Sequence, residues 1–599
     1  MVVTRKSMIH LSDIRLVRLA VCATVLTISC NKPHEENAMP EPSKTIGADL
    51  VIIHARIWVG RGPFADAAVR AMLAADPQPT AIAVHGQHII AVGDDASIRS
   101  TYVGPRTRVI DAGGRRVIPG ITDSHTHIIS GGFQLARVEL RDVSGKDEFI
   151  AKVKREVESR KSGEWVQGGR WSVESWANPE MPHRAWLDSF SIDTPIFLSR
   201  MDGHSALVNS AALMRAGIDA NGPADPVGGE IERDPNTRKP TGILKESAMD
   251  LITRLIPPPD AAQRRDALNR AMKHANSLGV TSVHDMSDWD DLAVFEPAAK
   301  EKTLTVRVTS YVQSENWPAM FKPLKEVRAR LQYGREFNIA GLKGYMDGSM
   351  GSRTAYMREP FVDCSHNEAY PRGQLTAFAG SLEKLQMVIS EADFVYRMQA
   401  AIHAIGDQAN HLALQCESWQ EDSHHGNGLR LRIEHAQHLL RGDIAEFARR
   451  HVIASMQPFH KADDARYVEK AIGKERLKGS YAFRSLLDAG ALLIFGSDWP
   501  VVTLNPFAGM HTAVTARALD GTIFMPEESI TVEEALVAYT SAPALAISQQ
   551  DNLGQIKPTM LADLVILTAD PFTVAPEKLT DITAHTTIMN GNVVYERGN

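Results

Sequence analysis

The stretch VIPGITDSHTH, at residues 117–127, decides the fold that this sequence predicts. It starts with β-branched apolar residues and ends in two histidines, His125 and His127. In an extended strand, residues i and i+2 point to the same face, so the two imidazoles can contact one ion. An HxH pair also arises by chance among 22 histidines. The interpretation therefore depends on whether later segments of the chain repeat the pattern.

Four later segments do repeat this pattern of an apolar, β-branched run that ends in a metal-binding side chain. They are GLKGYMDGS with Lys343, AAIHAIGD with His403, RIEHAQ with His435, and FGSDWP with Asp498. Catalytic ligands of a (β/α)8 barrel lie at such positions, because the C-terminal ends of its strands converge on one mouth. The ordered set of five segments therefore predicts one barrel with one metal site.

Eight short runs rich in Val and Ile are candidates for barrel strands that are covered on both faces. They lie at residues 117–127, 280–286, 304–312, 339–348, 398–406, 431–437, 451–458 and 492–500. Most of the gaps between them carry charged and apolar residues at the spacing of a helix. Alternation of strand and helix eight times over predicts the α/β class and a (β/α)8 TIM barrel.

The two ends of the chain predict a second, smaller domain. Residues 47–118 and 551–599 contain short strand patterns separated by glycine-containing turns. We therefore expect a composite β-sandwich domain built from both termini, and a barrel at residues 119–550. About 150 residues separate the first two barrel strands. This distance predicts an inserted subdomain after barrel strand 1, at about residues 130–275.

The first 30 residues predict a signal peptide of the lipoprotein type. Basic side chains precede the apolar run LAVCATVLTIS at residues 19–29, which is much shorter than the roughly 20 residues that span a bilayer. The small residue before Cys30 resembles a bacterial lipoprotein cleavage site, which would leave Cys30 lipidated and residues 31–46 as a flexible tether. An ordinary signal peptide, or translation from Met8, are the alternatives. We expect an exported, membrane-anchored lipoprotein that faces the periplasm or the cell exterior.

Length and composition exclude some classes of protein. The chain has 599 residues, of which 44% are hydrophobic and 23% charged, so it can bury a large core in more than one domain. The net charge of -7 is ordinary, and no basic stripe with interleaved aromatics predicts a nucleic-acid partner. Outside the leader the cysteines are Cys364 and Cys416, too few for a disulfide framework.

Six motifs, taken together, resemble those of the amidohydrolase superfamily, and within it the amidohydrolase-3 group that includes N-substituted formamide deformylases. They are DGHSALVNSAAL at 202–213, PTGILKESA at 240–248, GLKGYMDGSMGSRTA at 341–355, HAIGDQA at 403–409, RIEHAQ at 432–437 and GSDWP at 496–500. The resemblance extends over nearly the whole chain after residue 47. It implies the same composite β-domain, the same insertion and a metal-dependent hydrolase.

The residue types also point to metal catalysis by themselves. Zn²⁺ prefers imidazole and carboxylate ligands, and a catalytic site keeps one position for water. His125 and His127 can hold one ion, and His403 and His435 can complete that site or hold a second ion. Asp498 can both bind the metal and accept a proton from the bound water. Taken singly, the later histidines are equally consistent with core residues, and the aspartate with a helix cap.

The number of ions depends on Lys343. Two cations in one site need a bridging anion, and among the other ligands only Asp498 offers one. The resemblance implies that the Lys343 amine is carboxylated by CO2 and supplies the second bridge. An unmodified lysine would repel the metals, and a solvated or salt-bridged lysine is the alternative. We predict one or two divalent ions per chain, zinc first, with other divalent metals as alternatives.

Five further residues carry weaker predictions. The resemblance favours an active-site or substrate-binding role for His204, against a structural histidine. Arg353 is expected to contact a polar group of the substrate, against a structural role. His284 is expected in the core or behind the ligands. The roles of His438 and His460 stay open.

The predicted reaction is hydrolysis of a C–N amide-type bond other than a peptide bond, such as that of an N-substituted formamide, by a metal-activated water. Asp498 would take the proton of that water and pass it to the leaving nitrogen. A lactonase, an esterase or a deaminase on the same scaffold, and a non-catalytic binding lipoprotein, are the alternatives. The expected partners are a small-molecule substrate, the membrane through the lipid anchor, and a second copy of the chain in a homodimer. An apolar or aromatic substituent is suggested by the tryptophans of the insertion, which are Trp165, Trp171, Trp176 and Trp186.

Overall fold

The computed structural model describes the chain from residue 47 onward, with gaps. The described residues are 47–64, 78–140, 143–160, 163–173, 176–200, 205–226, 229–331, 336–363, 370–416 and 431–598. The predicted signal peptide and tether, Cys30 and His204 lie outside these residues. Within these ranges, no helix combines the length and the apolarity that crossing a bilayer requires.

Six short strands and one helix precede the barrel. They are β1 (Leu50–Ile53), β2 (Arg56–Ile57), β3 (Ala81–His85), β4 (His88–Gly93), α1 (Asp95–Tyr102), β5 (Arg108–Asp111) and β6 (Arg116–Pro119). Four of these strands form one sheet in the order β4-β3-β1-β5. The Asp94 side chain accepts a hydrogen bond of 2.9 Å from the Ser97 N–H and so caps the start of α1.

The first barrel strand, β7 (Ile121–Thr126), is followed by helix α2 (Ile128–Leu135) and then by the insertion. The elements of the insertion are β8 (Val138–Glu139), α3 (Lys146–Ser159), β9 (Val166–Trp171), α4 (Ala185–Asp188), β10 (Ile196–Arg200), β11 (Ser205–Val208), α5 (Ser210–Arg215), β12 (Gly229–Arg233), β13 (Pro240–Glu246) and α6 (Asp250–Thr253). Its strands form a separate sheet in the order β12-β13-β11-β10-β9-β8. Helix α7 (Ala261–Ser277), which starts with a capping box formed by Asp260 and Gln263, leads back to the barrel.

The remaining barrel strands alternate with helices. The elements are β14 (Val280–Ser287), α8 (Trp289–Lys300), β15 (Arg307–Gln313), α9 (Trp317–Arg330), β16 (Phe337–Tyr345), α10 (Leu382–Phe394), β17 (Gln399–Ala404), α11 (Asp407–Gln415), β18 (Arg432–His435), α12 (Ile444–Arg449), β19 (Ile453–Met456), α13 (Pro458–Asp464), α14 (Val468–Ile472), α15 (Phe483–Asp488) and β20 (Leu492–Phe495). The eight strands β7 and β14 to β20 are neighbours in chain order and pair in parallel. The ring closes where the Asp498 N–H donates to the His125 carbonyl at 2.6 Å and the His127 N–H to the Trp499 carbonyl at 2.8 Å. The predicted (β/α)8 barrel is confirmed.

One of the last strands of the chain pairs with a strand near its start. After the barrel come α16 (Pro506–Thr515), α17 (Val532–Tyr539), α18 (Ser541–Ala546), β21 (Leu564–Leu567), β22 (Ala584–Met589) and β23 (Asn592–Glu596). These three strands extend the early pair into one sheet, in the order β2-β6-β21-β22-β23. The predicted composite β-domain from both termini is therefore present. A buried ion pair ties it to the barrel, since the Arg307 Nε lies 2.6 Å from Asp563 Oδ2.

The tryptophans of the insertion stabilise its own core. Trp176 and Trp186 stack with centroids 6.5 Å apart, and Trp171 is fully buried in the same apolar cluster. Trp165 is half-buried, with the Arg215 guanidinium 5.8 Å from the centroid of its ring. None of the four lines the cleft at the mouth of the barrel. The expectation that these tryptophans shape a pocket for an aromatic substituent is wrong for this cleft.

Candidate active site

The first and the last barrel strands bring three of the predicted ligands together. His125 is the fifth residue of β7, His127 follows that strand, and Asp498 follows β20. The Oδ1 atom of Asp498 lies 3.4 Å from Nε2 of His125 and 3.3 Å from Nε2 of His127. One ligand atom from each of the three side chains lies within 4.8 Å of the others. This arrangement can hold a cation.

The other predicted ligands lie at the same mouth. The rings of His403 and His435 have centroids 4.4 Å apart, and the ring of His435 is 5.0 Å from that of His125. Lys343 is buried, with Nζ 3.5 Å from Nε2 of His125. The Nε2 atom of His403 lies at hydrogen-bond distance, 3.0 Å, from the Gly348 carbonyl oxygen. All five segments singled out in the sequence meet at one place.

His460, whose role the sequence left open, belongs to the same cluster. Its Nε2 lies 3.8 Å from Oδ2 of Asp498, and its ring is nearly parallel to that of His435 at 6.0 Å. Within the described part of the chain, His435 Nδ1 and His460 Nε2 are buried and have no hydrogen-bond partner. Buried polar atoms are normally paired. Two unsatisfied nitrogens beside a carboxylate therefore suit a bound cation.

The backbone is strained at two of the predicted ligands. His435 and Asp498 adopt left-handed conformations, with φ of 74° and 60°. Such non-glycine residues cost about 1–3 kcal/mol each and cluster at functional sites. Gly496 permits the close approach of the two strands that close the barrel, because a Cβ atom there would lie 2.3 Å from the His125 nitrogen.

The buried carboxylate of Glu434 contacts Nδ1 of His125 and fixes its ring. Glu434 Oε2 lies 2.6 Å from His125 Nδ1 and accepts a hydrogen bond of 2.7 Å from the Ser455 hydroxyl. Arg432 donates to both oxygens of the same carboxylate, at 2.5 and 3.2 Å. Burial alone would raise the pKa of Glu434, but the charge of Arg432, together with the contacts to His125 and the charge of Lys343, outweighs burial and holds the pKa well below its ordinary value. An ionised carboxylate at Nδ1 fixes the tautomer in which Nε2 is free to bind a metal.

Two further carboxylates fix the loops that carry the ligands. Asp123 accepts hydrogen bonds of 3.0 Å from the main-chain N–H groups of His125 and Ser497, which joins the two strands that close the barrel. Asp347 accepts hydrogen bonds from the N–H groups of Tyr356, Ile405 and Gly406 at 2.8 to 3.0 Å. The loops after β16 and β17 are thereby held against each other.

Burial sets the protonation states of the cluster. It lowers the pKa of His125 to about 4 and that of His403 to about 3, and it holds the pKa of His435 well below the ordinary value. It also lowers the pKa of Lys343 to about 8. For Asp498 burial alone would raise the pKa, but the neighbouring histidines outweigh it and lower it. His127 differs, because burial lowers its pKa but the contact with Asp498 outweighs burial and raises it. Neutral imidazoles at His125, His403 and His435 beside an ionised carboxylate are the states that bind a divalent cation, so these donors fit one.

The cluster opens into a cleft of roughly 370 Å³. Besides the ligands, its walls include Tyr345, Gln437, Tyr467 and the segment 501–502. Tyr467 is fixed by hydrogen bonding of its hydroxyl to Asp464. A volume of this size suits a small molecule.

Arg353 does not line this cleft. Its Nε and Nη2 donate to the two carboxylate oxygens of Asp363 at 2.9 and 2.6 Å, and its Nη1 donates to the Met350 carbonyl at 2.6 Å. These contacts stabilise the loop after β16. The substrate contact expected for Arg353 stays a prediction without support from the lining of the cleft.

Two other histidines singled out in the sequence do not line the cleft. His284 is fully buried inside the barrel, with Nδ1 3.1 Å from the Arg432 guanidinium. His438 is also buried and its Nδ1 lies 2.8 Å from the Ser480 hydroxyl oxygen. Sequence reasoning missed Glu434, although a charged pair Arg432 and Glu434 inside a four-residue buried strand is a signal that could have found it.

Comparison with known proteins agrees with this geometry. Residues 108–595 match the sequence model of the Amidohydrolase family. Protein LONG AFTER FAR-RED 3 of Arabidopsis thaliana is 36% identical, with 88% of each chain covered. N-substituted formamide deformylase of Arthrobacter pascens is 26% identical over 92% of this chain and 98% of its own. The crystal structure of an uncharacterized metal-dependent hydrolase from Pyrococcus furiosus has a TM-score of 0.68 and 26% identity, and the match covers 88% of this chain and 100% of that one.

A (β/α)8 barrel with histidine and aspartate donors at its mouth places the protein among barrel proteins with a candidate metal site. The match to the family model over most of the sequence shows that the chain belongs to the amidohydrolase family. This family usually uses a divalent metal, and the cluster at the barrel mouth is the candidate site for it. The resemblance stated from the motifs is confirmed.

Proposed function

We propose that the protein hydrolyses the C–N bond of a small amide, with N-substituted formamides as the first candidates. The observation that carries this proposal is the set of imidazole and carboxylate donors that faces a cleft of roughly 370 Å³. The similarity to the Arthrobacter pascens deformylase along nearly its whole length supports the choice of a C–N bond.

His125, His127 and Asp498 would hold one divalent cation, zinc being the first candidate because imidazole donors predominate. His403 and His435 would hold a second cation or complete the coordination of the first. When bound, the metal polarises the substrate carbonyl and lowers the pKa of a water molecule. His460, with its unsatisfied Nε2 near Asp498, is proposed as an additional donor.

Lys343 is proposed to carry a carboxylate formed with CO2. Its Nζ lies 3.5 Å from Nε2 of His125, where an ammonium group would repel a cation. A carbamate on the same nitrogen would reverse the charge and supply an anionic donor. Growth with ¹³C-bicarbonate tests this directly, because a carbamate resonance is expected in the wild-type protein and not in Lys343→Ala.

Asp498 is proposed as the group that moves the proton. Its Oδ1 faces His125 and His127, while Oδ2 lies on the other side of the carboxylate, towards His460. Oδ2 would take the proton from the attacking water and deliver it to the leaving nitrogen, which an amide requires before its C–N bond breaks. Glu434 would act through His125 by fixing its ring.

The test combines metal analysis with a panel of N-formyl, N-acyl and cyclic amides. We expect at least one stoichiometric divalent ion per chain and turnover of an amide. Asp498→Asn should lower kcat by about 100-fold or more, whereas Asp551→Asn, at an exposed position, should not change it. Hydrolysis of lactones or esters with no amide turnover would refute the choice of bond.

We also propose that the protein is exported and anchored by a lipid on Cys30, which the leader sequence favours. Metabolic labelling with a fatty acid should mark the wild-type protein and not Cys30→Ala, and the variant should leave the membrane fraction. Equal fractionation of both proteins would refute the anchor. The proposed homodimer is tested by light scattering on the chain without its leader.

A further inference from the structure

A second cavity, of roughly 220 Å³, lies beside the candidate active site. One wall is helix α2, which starts directly after His127 and contributes Ser130. Another wall is the loop after β20, which contributes Pro500, while the next residues, 501–502, line the cleft that holds the donor cluster. The insertion closes the remaining side with β8, β9 and β10. A substrate bound in the cleft therefore has a neighbouring cavity that the proposed reaction does not use.

The charges of this second cavity are unbalanced. Arg137 and Arg170 both line it, and the only carboxylate among its described lining residues is Glu139. Glu139 Oε2 lies 4.0 Å from Arg170 Nη1, whereas no ion pair to Arg137 occurs among the described residues. Partial burial and the charge of Arg170 together lower the pKa of Arg137. Among the described lining residues, two guanidinium groups therefore accompany one carboxylate, in a place where a second guanidinium is unfavourable without an anion.

Arg170 and the two glycines before it have unusual backbone conformations. Gly168 and Gly169 have φ of 150° and 121°, and a Cβ atom on them would lie 2.3 Å from the Val138 carbonyl oxygen and 2.2 Å from that of Ser199. Arg170 follows in the left-handed region with φ of 60°, where glycine would be relaxed. A strained non-glycine residue that lines a cavity motivates a hypothesis of function.

We propose that the second cavity binds a carboxylate group of the substrate, so that the enzyme prefers amides that carry a carboxylate, such as N-formyl or N-acyl amino acids, over neutral amides. This inference rests on the proposed amide hydrolysis. The Arg137 guanidinium matches a carboxylate in shape and can donate two hydrogen bonds to it. Ser130 also lines this cavity, and its hydroxyl can donate a further hydrogen bond. A monoanion balances the one positive charge that exceeds the carboxylate among the described lining residues.

The test uses two substrates that differ only in the carboxylate, N-formylphenylalanine (both enantiomers) and N-formylphenethylamine, with the metal-loaded enzyme. The measured quantity is the ratio of their kcat/KM values. Arg137→Gln should lower this ratio by about tenfold or more, since it removes a charge-assisted pair, and Arg137→Lys should lower it less. Glu139→Gln should raise the ratio, because it removes a negative charge from the cavity. Arg254→Gln, at an exposed arginine of the insertion, is the matched control and should leave it unchanged.

A second measurement separates this inference from the proposed reaction. Calorimetric binding of 3-phenylpropionate to the same proteins needs no turnover, and Arg137→Gln should weaken it about tenfold. If neither amide is hydrolysed but this weakening occurs, the reaction is refuted and the carboxylate site stands. If amides are hydrolysed with a ratio that is the same in wild type, Arg137→Gln and Glu139→Gln, the carboxylate site is refuted and the reaction stands.

Discussion

Replacing Glu434 by Gln should loosen metal binding through His125. In the structure four donor contacts converge on the two oxygens of Glu434: His125 Nδ1 at 2.6 Å, Ser455 Oγ at 2.7 Å and two from Arg432. Glutamine has one acceptor oxygen and one donor group, so at least one of these donors loses its acceptor. Arg432 also stays buried without its counter-ion, which costs about 3–5 kcal/mol of unfolding free energy. Loss of the partner that orients a metal-binding histidine typically weakens metal affinity about 10- to 100-fold.

The loss of unfolding free energy and the loss of metal affinity must be measured separately, because Glu434→Gln is expected to lower both. Asp563→Asn is the matched control, since Asp563 forms a buried bidentate pair with Arg307 at 2.6 and 3.0 Å, at the junction of the barrel and the composite domain. We expect a similar loss of unfolding free energy in both variants, measured by denaturant titration. Competition with a chelator, on folded protein at 25 °C, should show weaker metal binding in Glu434→Gln alone. Equal metal dissociation constants in the two variants, or wild-type affinity in Glu434→Gln, would refute the positioning role of Glu434.

Three further outcomes are expected. His460→Gln should raise the metal dissociation constant at least about tenfold. His438→Gln, at a buried histidine hydrogen-bonded to Ser480, is the control and should leave this constant unchanged. A larger increase in His438→Gln than in His460→Gln would remove His460 from the donor set. Gly496→Ala should lower the unfolding free energy by about 1–3 kcal/mol and weaken metal binding, because its Cβ would lie 2.3 Å from the His125 nitrogen. Gly442→Ala is the control, since a Cβ there meets nothing within 4 Å. Chelation should lower the melting temperature, and zinc at 100 times its dissociation constant should restore about 2.7 kcal/mol; no shift on chelation would contradict a bound metal.

The barrel was predictable from the sequence because parallel strands covered on both faces are rich in apolar, β-branched residues. Each of the eight runs in the sequence overlaps one strand of the barrel sheet. The C-terminal ends of those strands then had to meet, so the five ligand segments could be placed without any knowledge of distances. The environment of the tryptophans in the insertion, by contrast, could not be predicted from the sequence. Their side chains are as compatible with a core as with a pocket, and only the packing of Trp171, Trp176 and Trp186 distinguishes the two.

The second layer of the site was not predictable in the same way. Glu434 and Asp347 act by accepting hydrogen bonds from groups that are distant in sequence, such as His125 and the Gly406 N–H. A buried carboxylate has no periodic signature, because its stability depends on donors that other strands supply. His460 was left open for a related reason. It lies in α13 and not at a strand end, so the rule that located the other ligands does not include it.

Strand periodicity also conflicts with the observed site at one point, and the backbone shows how the conflict is resolved. In β18, alternation places Arg432 and Glu434 on the inner face, and it would turn His435 outward towards the helices. Yet the ring of His435 lies 5.0 Å from that of His125 and 4.4 Å from that of His403. The strand ends at His435, which together with the next residue, Ala436, adopts the left-handed conformation, and this redirects the ring into the mouth. Two successive residues can therefore contribute to one metal site. Glu434 contacts Nδ1 of His125, and His435 places its own ring in the cluster, with local backbone strain at His435. That strain has to be offset by the contacts that the two side chains make, and this explains why a regular strand pattern could locate the site but could not describe it.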